Sequence, residues 1–259
     1  MKYKIMLGCQ TITWGEAQDK KFPEIFTAIA NAGYSGVDIG WRRFETVKPG
    51  QVKQMLNNAG LKLTGLHIGG NLDDPEQAKG EWNMLDPVIS GLKILGSNIL
   101  GFSGLIFKNE LQFSKDLEKI KYAMQYCADK GIKFLYHNHN WEFDDKRKVW
   151  DALLSMVDLK FWVDIGWIYK GTKGGSITSV LNEIKGRIGA VHFKDFATSG
   201  TEIDTVKLGH GFVPLAEAAE WLKENLQEPI WVNAEQDTSS CEPIEAITCN
   251  AKYLKKIFN

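Results

Sequence analysis

The stretch NAGYSGVDIG at residues 31–40 contains the unit from which this chain is built. It joins the end of an amphipathic helix, a glycine suited to the left-handed conformation that stops a helix, and a short apolar strand. The same order recurs in NAGLKLTGLHIGG at 58–70, LGSNILGF at 95–102 and DKGIKFLYHNH at 129–139. Strands separated by helices run parallel, and nearly continuous apolar runs are typical of parallel strands buried on both faces. The predicted helix stops are Gly33, Gly60, Gly96 and Gly131.

Eight apolar runs extend this pattern along the whole chain. The predicted strands are about residues 3–10, 36–41, 62–68, 98–103, 132–138, 160–165, 188–194 and 229–235, with a last helix near 243–257. We therefore predict an α/β fold, a single (β/α)8 TIM barrel domain spanning residues 1–259, which is a usual length for that fold. A doubly wound open sheet would carry a glycine-rich phosphate turn after its first strand, and the residues from Cys9 to Thr13 form no such turn.

The charge balance argues against several kinds of partner. The 31 basic and 32 acidic residues nearly cancel, so neither nucleic acid nor a membrane surface is the expected partner, and a small polar substrate fits better. The chain shows no signal-peptide pattern and no apolar run long enough to span a membrane, which predicts a cytoplasmic protein. Its four cysteines lack a C-x-x-C pair and are predicted to be free thiols. A homo-oligomer is compatible with all of these features.

Four of the later strands end in side chains that bind metals or transfer protons. They lie in YHNHNWEF (136–143), WVDIGW (162–167), AVHFKDF (190–196) and WVNAEQD (231–237). The carboxyl ends of barrel strands meet at one mouth, where several carboxylates and an imidazole could surround one divalent cation. The candidate metal ligands are Glu142, Asp164, His192 and Glu235.

Alternation along each strand decides which of these side chains share a face. It groups His192 with Lys194 in one run, and Glu235 with Asp237 in another. Charged groups are almost never buried alone, so carboxylates at the ends of neighbouring buried strands need partners or a metal. Carboxylate oxygens with one imidazole favour Mn²⁺, and Mg²⁺, Co²⁺ or Zn²⁺ are alternatives.

Other interpretations of the same residues stay open. Asp164 lies where an aspartate often serves only as a helix cap or turn former. Glu142 follows its strand and could be solvated, in which case His137 or His139 would take its place at the metal. Those two imidazoles share a strand face, which suits a metal and hydrogen bonds to sugar hydroxyls equally well.

Taken together, the motifs resemble the sugar phosphate isomerase/epimerase superfamily of xylose isomerase-like barrels. The resemblance covers the whole chain, and its last three motifs are most similar to those of the inosose dehydratases. It is carried by His-Asn-His-x-x-Glu-Phe at 137–143, Asp-Ile-Gly-Trp at 164–167, His-Phe-Lys-Asp at 192–195, Gly-His-Gly at 209–211 and Ala-Glu-Gln-Asp at 234–237.

The resemblance implies that Glu142, Asp164, His192 and Glu235 hold a divalent metal. Many members carry the first glutamate within the fifth strand, where this chain has Tyr136-His137-Asn138. A metal that binds a carbonyl and the adjacent hydroxyl acidifies the carbon between them, and Glu235 or Glu142 would act as the base. The expected activity is isomerisation or epimerisation of a sugar or keto-polyol through an enediolate. An inosose dehydratase-type lyase reaction at the same site is the alternative.

Several further residues at the predicted mouth are suited to contact a sugar or cyclitol. They are His67, His137, His139, Trp167, Lys194 and Trp14. Tryptophans that follow strands offer flat walls for a sugar ring, and the absence of an arginine cluster favours an unphosphorylated substrate. Segments 170–175 and 196–207 are predicted to be mobile loops over the mouth.

Two other classes of function use the same fold. A DNA-repair phosphodiesterase would need a multinuclear zinc cluster, yet the chain has only 5 histidines and no obvious basic groove. A non-catalytic, metal-free carbohydrate-binding barrel is favoured only by the displaced glutamate of the fifth strand. Metal binding by the purified protein would separate that class from the enzyme.

Overall fold

A closed barrel of eight parallel strands forms the centre of the computed structural model, which describes residues 4–16, 18–44, 46–69, 83–199, 202–238 and 241–259. The strands are β1 (Ile5–Gln10), β2 (Gly36–Gly40), β3 (Lys62–Gly69), β4 (Ile99–Ser103), β5 (Lys133–His137), β6 (Lys160–Asp164), β7 (Ile188–Phe193) and β10 (Ile230–Ala234). Consecutive strands are neighbours, and β10 closes the barrel by pairing with β7 and β1. The predicted (β/α)8 barrel is confirmed.

Helices surround the barrel and cover its outer face. They are α1 (Phe22–Ala32), α2 (Pro49–Ala59), α3 (Leu85–Leu95), α4 (Glu110–Asp129), α5 (Asp144–Ser155), α6 (Ile165–Gly171), α7 (Ile177–Glu183), α8 (Leu215–Asn225) and α9 (Pro243–Phe258). Gly33, Gly60 and Gly96 end the first three helices in the left-handed conformation, as predicted. None of the described helices combines the length and apolar character needed to cross a bilayer.

The predicted loop at 196–207 is wrong, because this part of the chain forms an antiparallel hairpin of β8 (Asp195–Ser199) and β9 (Glu202–Val206). Asp195 anchors the base of the hairpin: its buried carboxylate accepts backbone hydrogen bonds from Phe196, Gly209, Gly211 and Val213. A Cβ at Gly211 would lie 2.1 Å from the carbonyl oxygen of Phe196, so only glycine fits. The Gly-His-Gly motif therefore has a structural role at this hairpin.

The barrel interior is filled by large side chains opposite glycines. Trp162 is fully buried there with Leu135 and Ala190, in a cluster separate from the larger core between strands and helices. Its ring centroid lies 4.2 Å from that of His67 and 5.2 Å from that of His192. Trp162 therefore packs against the imidazole rings of His67 and His192 inside the barrel.

We expect Gly65→Ala to reduce the free energy of unfolding by about 1–3 kcal/mol, because the added methyl group overpacks the barrel interior. Its Cβ would lie 2.6 Å from the ring of Trp162 and 2.9 Å from the carbonyl oxygen of Ile99. Urea denaturation would measure the change. Gly50→Ala is the matched control: apart from its chain neighbours and its own helix backbone, no described atom lies within 4 Å of that Cβ, so its stability should be unchanged or higher by up to about 1 kcal/mol.

Candidate active site

Four side chains at the carboxyl ends of β5, β6, β7 and β10 converge at the mouth of the barrel. His137, Asp164, His192 and Glu235 are all buried, and one ligand atom from each lies within 4.8 Å of the others. The strand register explains the convergence, since Asp164 pairs with His192 and His192 pairs with Asn233, two residues before Glu235. Three of the four predicted metal ligands are therefore brought together, and His137 occupies the fourth position.

The two carboxylate oxygens of Asp164 have different surroundings. Oδ1 accepts a hydrogen bond from the backbone N–H of Trp167 at 2.8 Å and so caps α6. Oδ2 is buried without a hydrogen-bond partner in the described part of the chain. The side chain of Asn138 bonds to both the N–H and the carbonyl of Asp164, at 2.9 and 3.2 Å, and fixes its backbone. Asp164 can therefore cap a helix with one oxygen and bind a cation with the other.

His192 lies between two carboxylates, one at each ring nitrogen. Its Nε2 is 2.6 Å from Oδ2 of Asp38, and its Nδ1 is 2.5 Å from Oε2 of Glu235. Burial acts against ionisation of Asp38, but His67 and His192 hold its pKa below the usual value, so its carboxylate accepts the proton of Nε2. Nδ1 then needs either a second proton or a cation shared with Glu235, because two lone pairs cannot face each other at that distance.

In the metal-free protein, a proton would lie between Nδ1 of His192 and the carboxylate of Glu235. Burial alone would lower the pKa of His192, but Glu235 and Asp38 raise it to about 10. Although burial favours its neutral form, Lys194 and His192 hold the pKa of Glu235 well below its usual value. A bound divalent ion would displace the proton from Nδ1, as metal binding to imidazoles generally does.

Glu142 is not part of this group. It is fully buried, and its two oxygens accept hydrogen bonds from the hydroxyl of Tyr136 at 2.8 Å and the backbone N–H of His139 at 2.7 Å. The same hydroxyl accepts a hydrogen bond from the N–H of Leu105. This network joins the segments that follow β4 and β5, which suits a structural role for Glu142 better than metal binding or catalysis.

We expect Glu142→Gln to leave metal affinity unchanged, since the amide can accept from His139 and donate to Tyr136. The substitution should alter the pH dependence of stability instead. Burial raises the pKa of Glu142 to about 8, so the folded protein holds a proton that the unfolded chain releases near its usual pKa. Wild-type stability should therefore fall between about pH 4.5 and 8 relative to the variant, by at most roughly 1.4 kcal/mol per pH unit. Thermal denaturation across this range measures the difference, and parallel curves would contradict it.

Lys194 contributes the one ammonium group among the described residues of this cluster. It is 1% exposed, and its Nζ lies 2.7 Å from Asp237, 3.6 Å from Glu235 and 3.8 Å from Asp164. Burial opposes its charge, but these carboxylates raise the pKa of Lys194 above its usual value. Its ammonium is thus already neutralised, and its predicted role as a direct substrate ligand gains no support from its contacts.

The donor set and its charge fit a divalent cation. Among the described residues, Nδ1 of His137 and Oδ2 of Asp164 are buried without a hydrogen-bond partner, and Nδ1 of His192 and Oε2 of Glu235 have only each other. Burial keeps the pKa of His137 well below its usual value, so this imidazole is neutral and able to bind metal. The four carboxyl groups of Asp38, Asp164, Glu235 and Asp237 outnumber the two basic groups that pair with them, the ammonium of Lys194 and the imidazole of His192. Burial raises the pKa of Asp164 to about 7, because the cations near it offset only part of its desolvation. Unsatisfied buried donors and acceptors are rare unless a ligand or ion completes them.

A cavity of about 560 Å³ opens above this cluster. Its wall includes His67, His137, His139, Trp141, His192 and Glu235. The rings of His139 and Trp141 are stacked, with centroids 4.0 Å apart. Trp14 and Trp167, predicted substrate contacts, are not part of the described wall and pack against the core instead. Trp41 also lines the cavity.

Asp38 is the main site residue that the motifs did not indicate. It is fully buried in the middle of β2, and it contacts His192 and lies 3.5 Å from Nε2 of His67. One signal was present in the sequence: an aspartate in the middle of the apolar run Gly-Val-Asp-Ile-Gly, on the face shared by Gly36 and Gly40. A lone charge in a buried strand requires a partner across the barrel.

Comparison with known proteins agrees with this architecture. Inosose dehydratase from Clostridium botulinum is 23% identical over 293 aligned positions, which cover 98% of this chain and 97% of that protein. A sugar phosphate isomerase/epimerase from Parabacteroides distasonis superposes with a TM-score of 0.76 at 21% identity, covering 98% of this chain and 94% of the other. A D-allulose 3-epimerase from Methylomonas sp. has a TM-score of 0.74 at 17% identity, and the superposition covers 99% of this chain and 100% of the other. The model of the xylose isomerase-like TIM barrel family matches residues 26–257, so the chain belongs to that family.

Proposed function

We propose that this protein is a divalent-metal-dependent isomerase or epimerase that acts on a sugar or keto-polyol by removing a proton next to a carbonyl. One observation carries the proposal: His192 and Glu235 form a buried pair at the carboxyl ends of β7 and β10, with Nδ1 and Oε2 2.5 Å apart, where a proton or a cation can be shared. His137 and Asp164 direct further ligand atoms to within 4.8 Å of this pair.

The proposed ligands are His137, Asp164, His192 and Glu235. When bound, the cation would polarise a substrate carbonyl and the neighbouring hydroxyl, which lowers the free energy of removing the intervening proton. Two imidazoles with two carboxylates suit Mn²⁺, Co²⁺ or Zn²⁺ better than Mg²⁺, which prefers oxygen ligands. Mn²⁺ remains our first choice.

Glu235 is the proposed base. Its carboxylate is ionised beside Lys194, and it belongs to the cavity wall where a substrate would lie. Lys194 balances its charge without filling the cavity, and Trp162 blocks the barrel beneath the imidazoles, which keeps water away from that side. Burial lowers the pKa of His139 to about 3, so this imidazole is neutral and can accept a hydrogen bond from a substrate hydroxyl. His137 is also neutral, but its one lone pair would bind the cation, which leaves its other ring nitrogen as a donor.

Dehydration of a keto-polyol is the second candidate, and the resemblance to inosose dehydratase along nearly the whole chain favours it. Removal of the same proton followed by loss of a β-hydroxyl gives elimination, whereas its return to carbon gives epimerisation or isomerisation. The two outcomes use one base and one metal.

The test incubates the Mn²⁺-loaded protein in D₂O with inososes, ketohexoses and 3-keto-glycosides, and follows deuterium uptake next to the carbonyl by NMR. We expect metal-dependent exchange with at least one compound, lost after chelation. Elimination products with an inosose would favour the dehydratase. Tight metal binding without exchange in any compound would contradict an enzymatic role.

A further inference from the structure

A second set of polar side chains lines the same cavity and lies outside the proposed metal cluster. Arg42 and Arg43 follow β2, and Gln18 follows β1; all three belong to the cavity wall. In the circular strand order, β2 lies four strands from β6, which carries Asp164. Arg42 and Arg43 therefore follow the strand opposite that of Asp164, and Gln18 follows β1, which lies between β2 and β10.

Arg43 is 8% exposed and only partly paired. Its Nη1 donates to the backbone carbonyl of Glu16 at 2.8 Å and to the Glu16 carboxylate at 2.6 Å. Its Nη2 has no hydrogen-bond partner within the described ranges. Glu16 is 81% exposed, so water weakens its hold on the guanidinium. Arg42 adds a second, exposed guanidinium beside it.

Gln18 offers an unpartnered acceptor in the same wall. Its side chain is 2% exposed, and its Nε2 donates to the carbonyl of Gly15 at 2.7 Å, which fixes the orientation of the amide. Oε1 is consequently the atom left without a partner in the described structure. A buried donor and a buried acceptor without partners are each unfavourable by roughly 1–3 kcal/mol, unless a ligand satisfies both.

We infer that Arg43 and Gln18 form a subsite for an anionic group and its neighbouring hydroxyl, so that the substrate is a keto-sugar with a terminal carboxylate or phosphate. The anionic oxygens would accept from the guanidinium, and the hydroxyl would donate to Oε1 of Gln18. Lys194 cannot fill this role, because three carboxylates already surround it. This inference rests on the proposed function, since it assigns the far end of the same substrate. It also revises the expectation of an unphosphorylated substrate.

The test compares D-fructose, D-fructuronate and D-fructose 6-phosphate, which differ only at carbon 6, by calorimetric titration of the Mn²⁺-loaded protein. We expect one of the two acids to bind about 10- to 100-fold more tightly than D-fructose, the value of one hydrogen bond to a charged group. The acid that binds more tightly than D-fructose shows whether the anionic group is a carboxylate or a phosphate. Arg43→Gln should abolish the preference for the acid over D-fructose, whereas Lys121→Gln, at an exposed ion pair with Glu118 on α4, should not alter that preference.

A second variant tests the subsite without removing Arg43. Glu16→Gln removes an exposed carboxylate and frees the guanidinium, so binding of the preferred acid should strengthen by up to about fivefold. Equal binding of all three compounds, or a preference for the acid that survives Arg43→Gln, would overturn the subsite. The proposed function would still stand if neutral sugars showed deuterium exchange. Absence of both exchange and binding would reject the two together.

Discussion

Glu235→Gln should lower the rate of substrate deuterium exchange by about 10²- to 10⁴-fold at saturating metal, the usual contribution of a general base. The amide keeps the shape of the side chain and one oxygen that can bind the cation, but it cannot accept a proton near neutral pH. Lys194 retains its 2.7 Å contact with Asp237, so the fold around the site should persist. Metal affinity should fall as well, because a neutral oxygen replaces a carboxylate beside His192.

The measurement is exchange in D₂O by NMR across a manganese titration, which separates weaker metal binding from loss of the base. Glu228→Gln is the matched control: Glu228 forms ion pairs with Lys133 and Lys160, and it lies just before β10, at the amino-terminal end of the barrel. That variant should exchange at the wild-type rate. Near-normal exchange by Glu235→Gln at saturating manganese would mean that another group is the base.

Asp38→Asn should weaken metal binding by about 10- to 100-fold, as loss of a carboxylate behind a metal-binding histidine commonly does. In the wild type, Oδ2 of Asp38 fixes the proton on Nε2 of His192 from 2.6 Å and leaves Nδ1 free for the cation. The neutral amide of asparagine holds this tautomer more weakly, and it also lowers the basicity of the imidazole. Asp38 acts through His192 and is therefore a positioning residue.

Two readouts distinguish this role from a general effect on folding. Calorimetric metal titration gives the affinity, and nitrogen-15 NMR of the imidazole reports which ring nitrogen carries the proton. Asp116→Asn provides the control, because Asp116 is another buried carboxylate, 1% exposed on α4, whose partner Lys119 lies away from the mouth. Asp116→Asn should keep wild-type metal affinity. If Asp38→Asn also kept it, with the tautomer unchanged, the positioning role would be refuted.

Residues within one strand were predicted more reliably than contacts across the barrel. The convergence of Asp164, His192 and Glu235 follows from their places at the ends of parallel strands, which local periodicity reveals. Glu142 was assigned to the metal by the same reasoning, yet it lies beyond β5 on a short helical turn, Trp141–Phe143, where Tyr136 and the backbone of His139 engage it. Strand alternation gives no information about the direction of a side chain in such a turn.

Local sequence patterns were sufficient to predict the barrel, its strand order and the end of the barrel at which the candidate site lies. These properties depend on apolar runs, helix-ending glycines and polar residues at strand ends, all of which are local. Side-chain contacts across the barrel had to be read from its three-dimensional arrangement: His137 joins Asp164, His192 and Glu235, Asp38 contacts His192, and Arg43 and Gln18 line the same cavity. Asp38 and His192 are 154 positions apart in the chain. Contacts at such separation depend on barrel closure and side-chain rotamers, which no local pattern encodes.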